Sequence, residues 1–169
     1  MANCCDFYMK IVGESDDVEL LVKWFKSDYD LNNNICESSH HFYNIREFNI
    51  TGGEVHLNQT ELLCEGFCDW SAGECMLDGK DSYYQKYLSV DTFGINLIKA
   101  TRLLHLMVEV ISIEPQANFT EHIIVDNGKL VLNEFKEIFS DEDYAKPATS
   151  DEWNDLYLNR VDSLIEFTI

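Results

Sequence analysis

Basic side chains are scarce in this sequence relative to acidic ones. Only 12 Lys and Arg stand against 31 Asp and Glu in 169 residues, a formal net charge of −19 with a pI near 4.3. A surface of that sign repels nucleic-acid phosphates and anionic headgroups, so the expectation is no direct nucleic-acid or membrane binding and a basic partner instead. Also lacking is any apolar run of the roughly 18 residues that a membrane-spanning helix needs. The opening Met1-Ala2-Asn3-Cys4-Cys5-Asp6 has neither the basic flank nor the apolar stretch of a secretory signal, which predicts a reducing, cytoplasmic setting. The six cysteines are then read as thiols, and the Asn-x-Thr triplets at Asn49, Asn58 and Asn118 as coincidental. No Gly-rich phosphate loop, paired-His helix or calcium loop is present, nor any internal repeat or low-complexity tract.

What is present is a folded chain, 46% hydrophobic, of a length that forms one domain with a core of its own. Cys5 to Gly13 reads as a strand with Phe7, Met9 and Ile11 on one side. Ser15 suits an N-cap, Asp16 and Asp17 suit the positive end of a helix, and Val18, Leu21, Val22 and Phe25 repeat with helical spacing. Residues 27–41 are polar and Asn-rich, which predicts a loop. Phe42 to Leu57 offers a strand pair broken around Thr51-Gly52-Gly53, and Glu61 to Trp70 a further strand in which Gly66 marks a bulge or a close backbone approach. A loop with Gly73 and Gly79 follows. Val90, Phe93, Leu97, Thr101 and Leu104 then trace one helical stripe.

The clearest local signal is Asp126-Asn127-Gly128-Lys129 between two apolar runs, a type I′ hairpin turn. The register from that turn sets Val125 opposite Leu130, Ile123 opposite Leu132, His122 opposite Asn133 and Glu121 opposite Glu134. A preceding strand from Leu106 to Ile113 ends at Glu114-Pro115. After Pro147, Thr149-Ser150-Asp151-Glu152 has the pattern of a capping box ahead of a tail helix bearing Trp153, Leu156, Tyr157, Val161 and Leu164 on one face. The predicted class is α+β: a ferredoxin-like antiparallel sheet with helices on one face over residues 1–145, and a C-terminal helical tail, 146–169, docked on the same domain.

The opening Met1-Ala2-Asn3-Cys4-Cys5-Asp6-Phe7-Tyr8-Met9-Lys10-Ile11-Val12-Gly13 resembles the start of the YubB-type (Api92-like) proteins of phages and plasmids. The segment Ser112-Ile113-Glu114-Pro115-Gln116-Ala117-Asn118-Phe119, with Glu121-His122 and Asp126-Asn127-Gly128, resembles that family's Glu-Pro-Gly-x-Gly-Phe hairpin. The resemblance spans Met1 to Glu134. It implies a ferredoxin-like fold and a phage or mobile-element origin, hence the cytoplasm of a host cell, and brings no catalytic motif with it.

Candidate chemistry is sparse. Cys64-x3-Cys68-x6-Cys75 could form part of a metal site with Cys36, His40 or His41. Cys64 and Cys68 lie about 13 Å apart on an extended strand, however, and buried thiols are the simpler reading. A Cys–His nucleophile using His40, His41, His56, His105 or His122 has no local signature. Glu121 opposite Glu134 would be two carboxylates across a strand pair, explained by a cation, a shared proton, catalysis or fraying. The acidic groups Asp141, Glu142, Asp143 and Asp151, Glu152, Asp155 form a candidate partner-binding surface that imitates phosphate spacing.

These observations predict a non-enzymatic acidic protein without cofactor or metal. It would bind and inhibit a basic, nucleic-acid-handling host protein, for instance a CRISPR effector, as a DNA mimic. The competing expectation is a small-ligand module or hydrolase on the open sheet face around Glu121, His122 and Glu134. A third is self-association through the tail helix.

Overall fold

The computed structural model describes residues 4–26, 42, 45–77, 95–145, 149, 151–152, 155, 158–160 and 163. The predicted loop at 27–41, the first turns of the stripe from Val90, Gly79, and the apolar face of the tail helix lie outside them.

Strand β1, Cys4–Glu14, alternates strictly, and its Phe7, Met9 and Ile11 are each fully buried. Helix α1 follows at once over Ser15–Phe25 and buries Val18, Leu21, Val22 and Phe25, the four positions its spacing selects. Its N-cap is Glu14, one residue before the expected Ser15. The Ser15 hydroxyl instead bonds the Thr60 hydroxyl at 2.7 Å, tying the start of α1 to a neighbouring strand.

Residues 45–56 do not break into a strand pair. They form one strand, β2, Ile45–His56, with register shifts between Ile45 and Glu47 and between Ile50 and Gly52. The two glycines at 52 and 53 thus absorb a bulge, and the chain reverses at Leu57 and Asn58, both with positive φ. Strand β3, Gln59–Asp69, returns beside it. The close approach expected at Gly66 is real: a Cβ there would lie 2.1 Å from the Glu47 carbonyl oxygen and 2.6 Å from the Phe7 ring. The predicted loop at Gly73 is a short helix, α2, Ala72–Met76, capped by the Ser71 hydroxyl accepting from Glu74 N. Helix α3, Leu97–Leu104, is capped by Asn96 and ends at His105 in the left-handed region, with φ of 52°.

Three antiparallel strands complete the sheet: β4 (Met107–Glu114), β5 (Phe119–Asp126) and β6 (Lys129–Glu137). The order across the sheet is β2-β3-β1-β4-β5-β6, with every neighbouring pair antiparallel. The first four strands with α1 and α3 make the β-α-β-β-α-β ferredoxin-like plan, and β5 and β6 widen it. Helix α1 packs on β1, β2 and β3 and touches α3, so both cover the face that carries Phe7, Met9 and Ile11. Rings of Phe42, Phe25 and Phe48 stack there at 4.0 and 4.6 Å between centroids, with Phe7 at 6.3 Å from Phe48.

Asn127 and Gly128 both have positive φ, as a type I′ turn requires. The turn is held by α3 and the residues just after it: Gly128 N donates to the Thr101 hydroxyl at 3.1 Å, and Asn127 N to the Leu106 carbonyl at 2.9 Å. Val125 faces Leu130 as expected, but the register then slips. Ile124 faces Leu132, Ile123 faces Asn133, His122 faces Glu134 and Glu121 faces Phe135. A bulge at Val131 inserts one extra residue into β6, and a slip of one residue moves every later pair. The expected pairs Glu121–Glu134 and His122–Asn133 therefore do not exist.

Beyond β6, helix α4 spans Asp141–Ala145, and residues 151, 152, 155, 158–160 and 163 are helical. Thr149 N donates to the Glu152 carboxylate at 2.9 Å while Glu152 N donates to the Thr149 hydroxyl at 3.3 Å, which is the expected capping box.

Candidate functional site

Of the six carboxylates expected to face a partner, five are exposed: Asp141, Glu142, Asp151, Glu152 and Asp155. Asp143 is not. It is 6% exposed, and its carboxylate accepts from Ser140 N at 3.0 Å, from the Ser140 hydroxyl at 2.9 Å and from Arg160 Nη2 at 3.4 Å. Asp143 N in turn donates to the Ser140 hydroxyl at 3.3 Å, so Asp143 closes a reciprocal cap on α4 and ties it to the helical tail. A carboxylate committed in that way is part of the scaffold.

The trio Glu121, His122 and Glu134 does not converge, because neighbouring residues on a strand point to opposite faces. Glu121 faces the helices. Its Oε1 accepts from the Ser71 hydroxyl at 3.0 Å, and its Oε2 from Gly73 N at 3.0 Å and the Ser112 hydroxyl at 2.8 Å. At 9% exposure it joins β4, β5 and the start of α2. His122 and Glu134 share the open face. His122 Nε2 lies 2.7 Å from Glu109 Oε1, and Glu134 is ion-paired with Lys136, whose ammonium holds its carboxyl below the usual range. Lys10 bridges to Glu61 at 3.4 Å and stands opposite Glu109 across the β1–β4 ladder. Acid stands beside base on β5 and β6, and on β1, β2 and β3 the same holds for Lys10 with Glu61 and for Arg46 with Asp69.

Of the described thiols, Cys4 is exposed and the others are interior. Cys5, Cys64, Cys68 and Cys75 are buried. Burial pushes the Cys64 thiol up to about 12, with Lys26 opposing it. Cys68 is raised well above the ordinary thiol range by hydrogen bonding with the Cys5 and Cys75 thiols and by burial. A thiol held protonated is a poor nucleophile and a poor metal ligand. Among the described residues no group of three or more His, Cys, Asp or Glu is placed to hold a metal ion. Cys36, His40 and His41 lie outside them.

Beside those ion pairs on β1, β2 and β3 lies a group of carboxylates. Across β2, β3 and β1 the ladders set Glu47 opposite Phe67 opposite Asp6, and Asn49 opposite Glu65 opposite Tyr8. These residues, with Phe7 and Gly66, line a cleft of about 220 Å³. Glu47 accepts from Asn49 Nδ2 at 2.6 Å. Among the described residues no cation pairs with Asp6 or Glu65. Burial, and then the Glu65 carboxylate beside it, raise the Asp6 carboxyl above its ordinary value. Phe67 is 43% exposed at the rim. The space is smaller and more polar than a usual small-molecule pocket. Its size and sign suit the end of one cationic side chain lying against aromatic rings and between carboxylates.

Sequence reasoning did not single out Asp6, Glu47 and Glu65. Strand alternation does place Asp6 and Tyr8 opposite to Phe7 and Met9, which is the available signal. What joins them to Glu47 and Glu65 is the β2–β3–β1 order and a register with two bulges, and neither is written in local sequence. Comparison with protein-family models, with curated proteins and with solved structures gave no match. No helix among the described residues is long and apolar enough to cross a membrane.

Proposed function

We propose that this chain is a non-enzymatic binding protein whose acidic open face, at β2, β3 and β1, receives Lys or Arg side chains from a basic protein surface. The observation that carries the reading is the gathering of Asp6, Glu47 and Glu65 with Tyr8 and Phe67 around one small cleft, in a molecule of net charge −19. Basic surfaces of matching chemistry are those that hold nucleic-acid phosphates, so occupation by this protein would compete with DNA or RNA. The exposed Asp141, Glu142, Asp151, Glu152 and Asp155 add long-range attraction and speed encounter without having to reach the cleft.

The resemblance to phage and plasmid proteins narrows the partner to a host factor that handles nucleic acid in defence, such as a CRISPR effector. The outcome of binding is inhibition by exclusion of the nucleic acid. The hydrolase or small-ligand reading has no comparable support, since Glu121 faces the opposite side of the sheet from His122 and Glu134.

The test is capture of host proteins on the immobilised chain, followed by elution with a DNA oligonucleotide. Basic nucleic-acid-binding proteins released by the oligonucleotide support the proposal, with retention reduced by the combined Asp6→Asn, Glu47→Gln and Glu65→Gln change. Retention indifferent to both the oligonucleotide and that change sinks it.

A further inference from the structure

The two edges of the sheet are not alike. At one end β2 is blunted by two register shifts and a pair of glycines, devices that keep an edge from pairing with another chain. At the other end β6 keeps regular register with β5 from Leu132 to Glu137, and among the described residues no strand covers its outer side. It also exposes apolar area where an edge would normally carry only charge: Val131 is 62% and Phe135 63% exposed. Among the described residues Phe135 has one aromatic neighbour, Phe119, at 5.0 Å between centroids.

We infer that β6 pairs with the β6 of a second copy, antiparallel and centred on Phe135, to make one continuous sheet through the dimer. A two-fold axis normal to the sheet keeps each residue on its own face, so only registers that oppose residues of like parity are allowed. Centring on Phe135 opposes Phe135 to itself, Glu134 to Lys136 and Asn133 to Glu137. The Glu134–Lys136 opposition occurs twice, once on each side of the axis, on the open face. Shifting the centre by one residue to Glu134 would set Glu134 against itself, which like charges directly opposite disfavour.

Charge favours this edge over the rest of the molecule. Lys129–Glu137 holds two Lys and two Glu and is locally neutral in a chain of net −19. A second copy, repelled elsewhere, can approach here. Pairing would also extend the Phe119–Phe135 stack across the interface and remove the apolar edge from water. The inference is independent of the cleft at β2, β3 and β1, which lies at the far side of the sheet.

Sedimentation equilibrium of the full chain at about 0.3 M salt, where the long-range repulsion between copies is screened, tests the pairing. Both reversed residues are exposed, with side-chain accessibilities of 43% for Glu134 and 66% for Lys136, so circular dichroism should show every variant folded. The wild type is expected to dimerise at micromolar to sub-millimolar concentration. Glu134→Lys alone and Lys136→Glu alone should each weaken dimerisation at least tenfold, because each sets like charges opposite twice. An equimolar mixture of the two single variants should recover a heterodimer, in which unlike charges again face each other. A wild type that stays monomeric through this range overturns the inference. So do single variants that dimerise as well as the wild type, or a mixture that stays monomeric.

Discussion

At Glu121 a charged group sits where the fold covers it, and its stability rests on three donors: the Ser71 hydroxyl, Gly73 N and the Ser112 hydroxyl. Removing the carboxylate strands all three, which costs more than the bonds themselves contributed. Glu121→Ala is expected to lower stability by about 3 kcal/mol, read as a fall in the urea midpoint with unchanged slope, while Glu121→Gln retains one acceptor and loses less. Gly66 is constrained by space: the 2.1 Å approach to the Glu47 carbonyl oxygen cannot be relieved by turning a side chain. Gly66→Ala should therefore push β2 away and cost about 1–3 kcal/mol, measured the same way. Asp6 works in the opposite sense. Its carboxyl is raised above 3.8 by burial and by Glu65, so the folded state holds the proton more tightly than the unfolded chain. Stability from this group is full below its unfolded value and falls as pH rises through the folded one. Asp6→Asn should then stabilise the protein at pH 7, and the difference from wild type should vanish on acidification below the ordinary carboxylate range. A destabilised Asp6→Asn at pH 7 would mean that the carboxylate has a cation partner.

The β5–β6 hairpin shows at the level of an element what a sequence can and cannot specify. Asn127-Gly128 dictates the turn through two positive φ angles, and Val125 opposite Leu130 follows from it. The bulge at Val131 does not, because nothing in Leu130-Val131-Leu132 distinguishes an extra residue from a regular pair. One residue of slip was enough to turn Glu134 to the open face and set Phe135 opposite Glu121, which stays on the buried side with Ile123 and Val125. The same limit explains Gly52-Gly53, which reads as a turn and serves as a bulge. It also explains the cleft, whose three carboxylates come from three strands brought together by topology. Helix faces and the alternation of β1 were legible, since Val18, Leu21, Val22, Phe25, Phe7, Met9 and Ile11 are all buried as their spacing demands. The hairpin is also clamped from outside, by Thr101 of α3 on Gly128 N. Thr101→Val preserves shape and removes that acceptor, and is expected to cost about 1–2 kcal/mol in thermal or urea unfolding. Amide exchange at Gly128 should accelerate in the same variant.

Seen whole, the open face sets one group of carboxylates among its ion pairs. On the β4, β5 and β6 side of the open face, Glu109 lies against His122 and Glu134 is ion-paired with Lys136. On the β2, β3 and β1 side, Lys10 pairs with Glu61 and Arg46 with Asp69, while Asp6, Glu47 and Glu65 gather around the cleft, the Asp6 carboxyl raised by burial and then by repulsion from Glu65. A cation bound there relieves that repulsion, so binding a basic partner and lowering the Asp6 pKa are one event. The most direct measurement is the dependence of partner affinity on salt, for the wild type and for the chain carrying Asp6→Asn, Glu47→Gln and Glu65→Gln. The account predicts that wild-type affinity falls by tenfold or more between about 0.1 and 0.5 M salt, where screening shortens the reach of exposed charges. It also predicts that the triple variant binds more weakly at low salt and with a shallower dependence. Affinity that is flat in salt, or a triple variant that matches the wild type throughout, would contradict it.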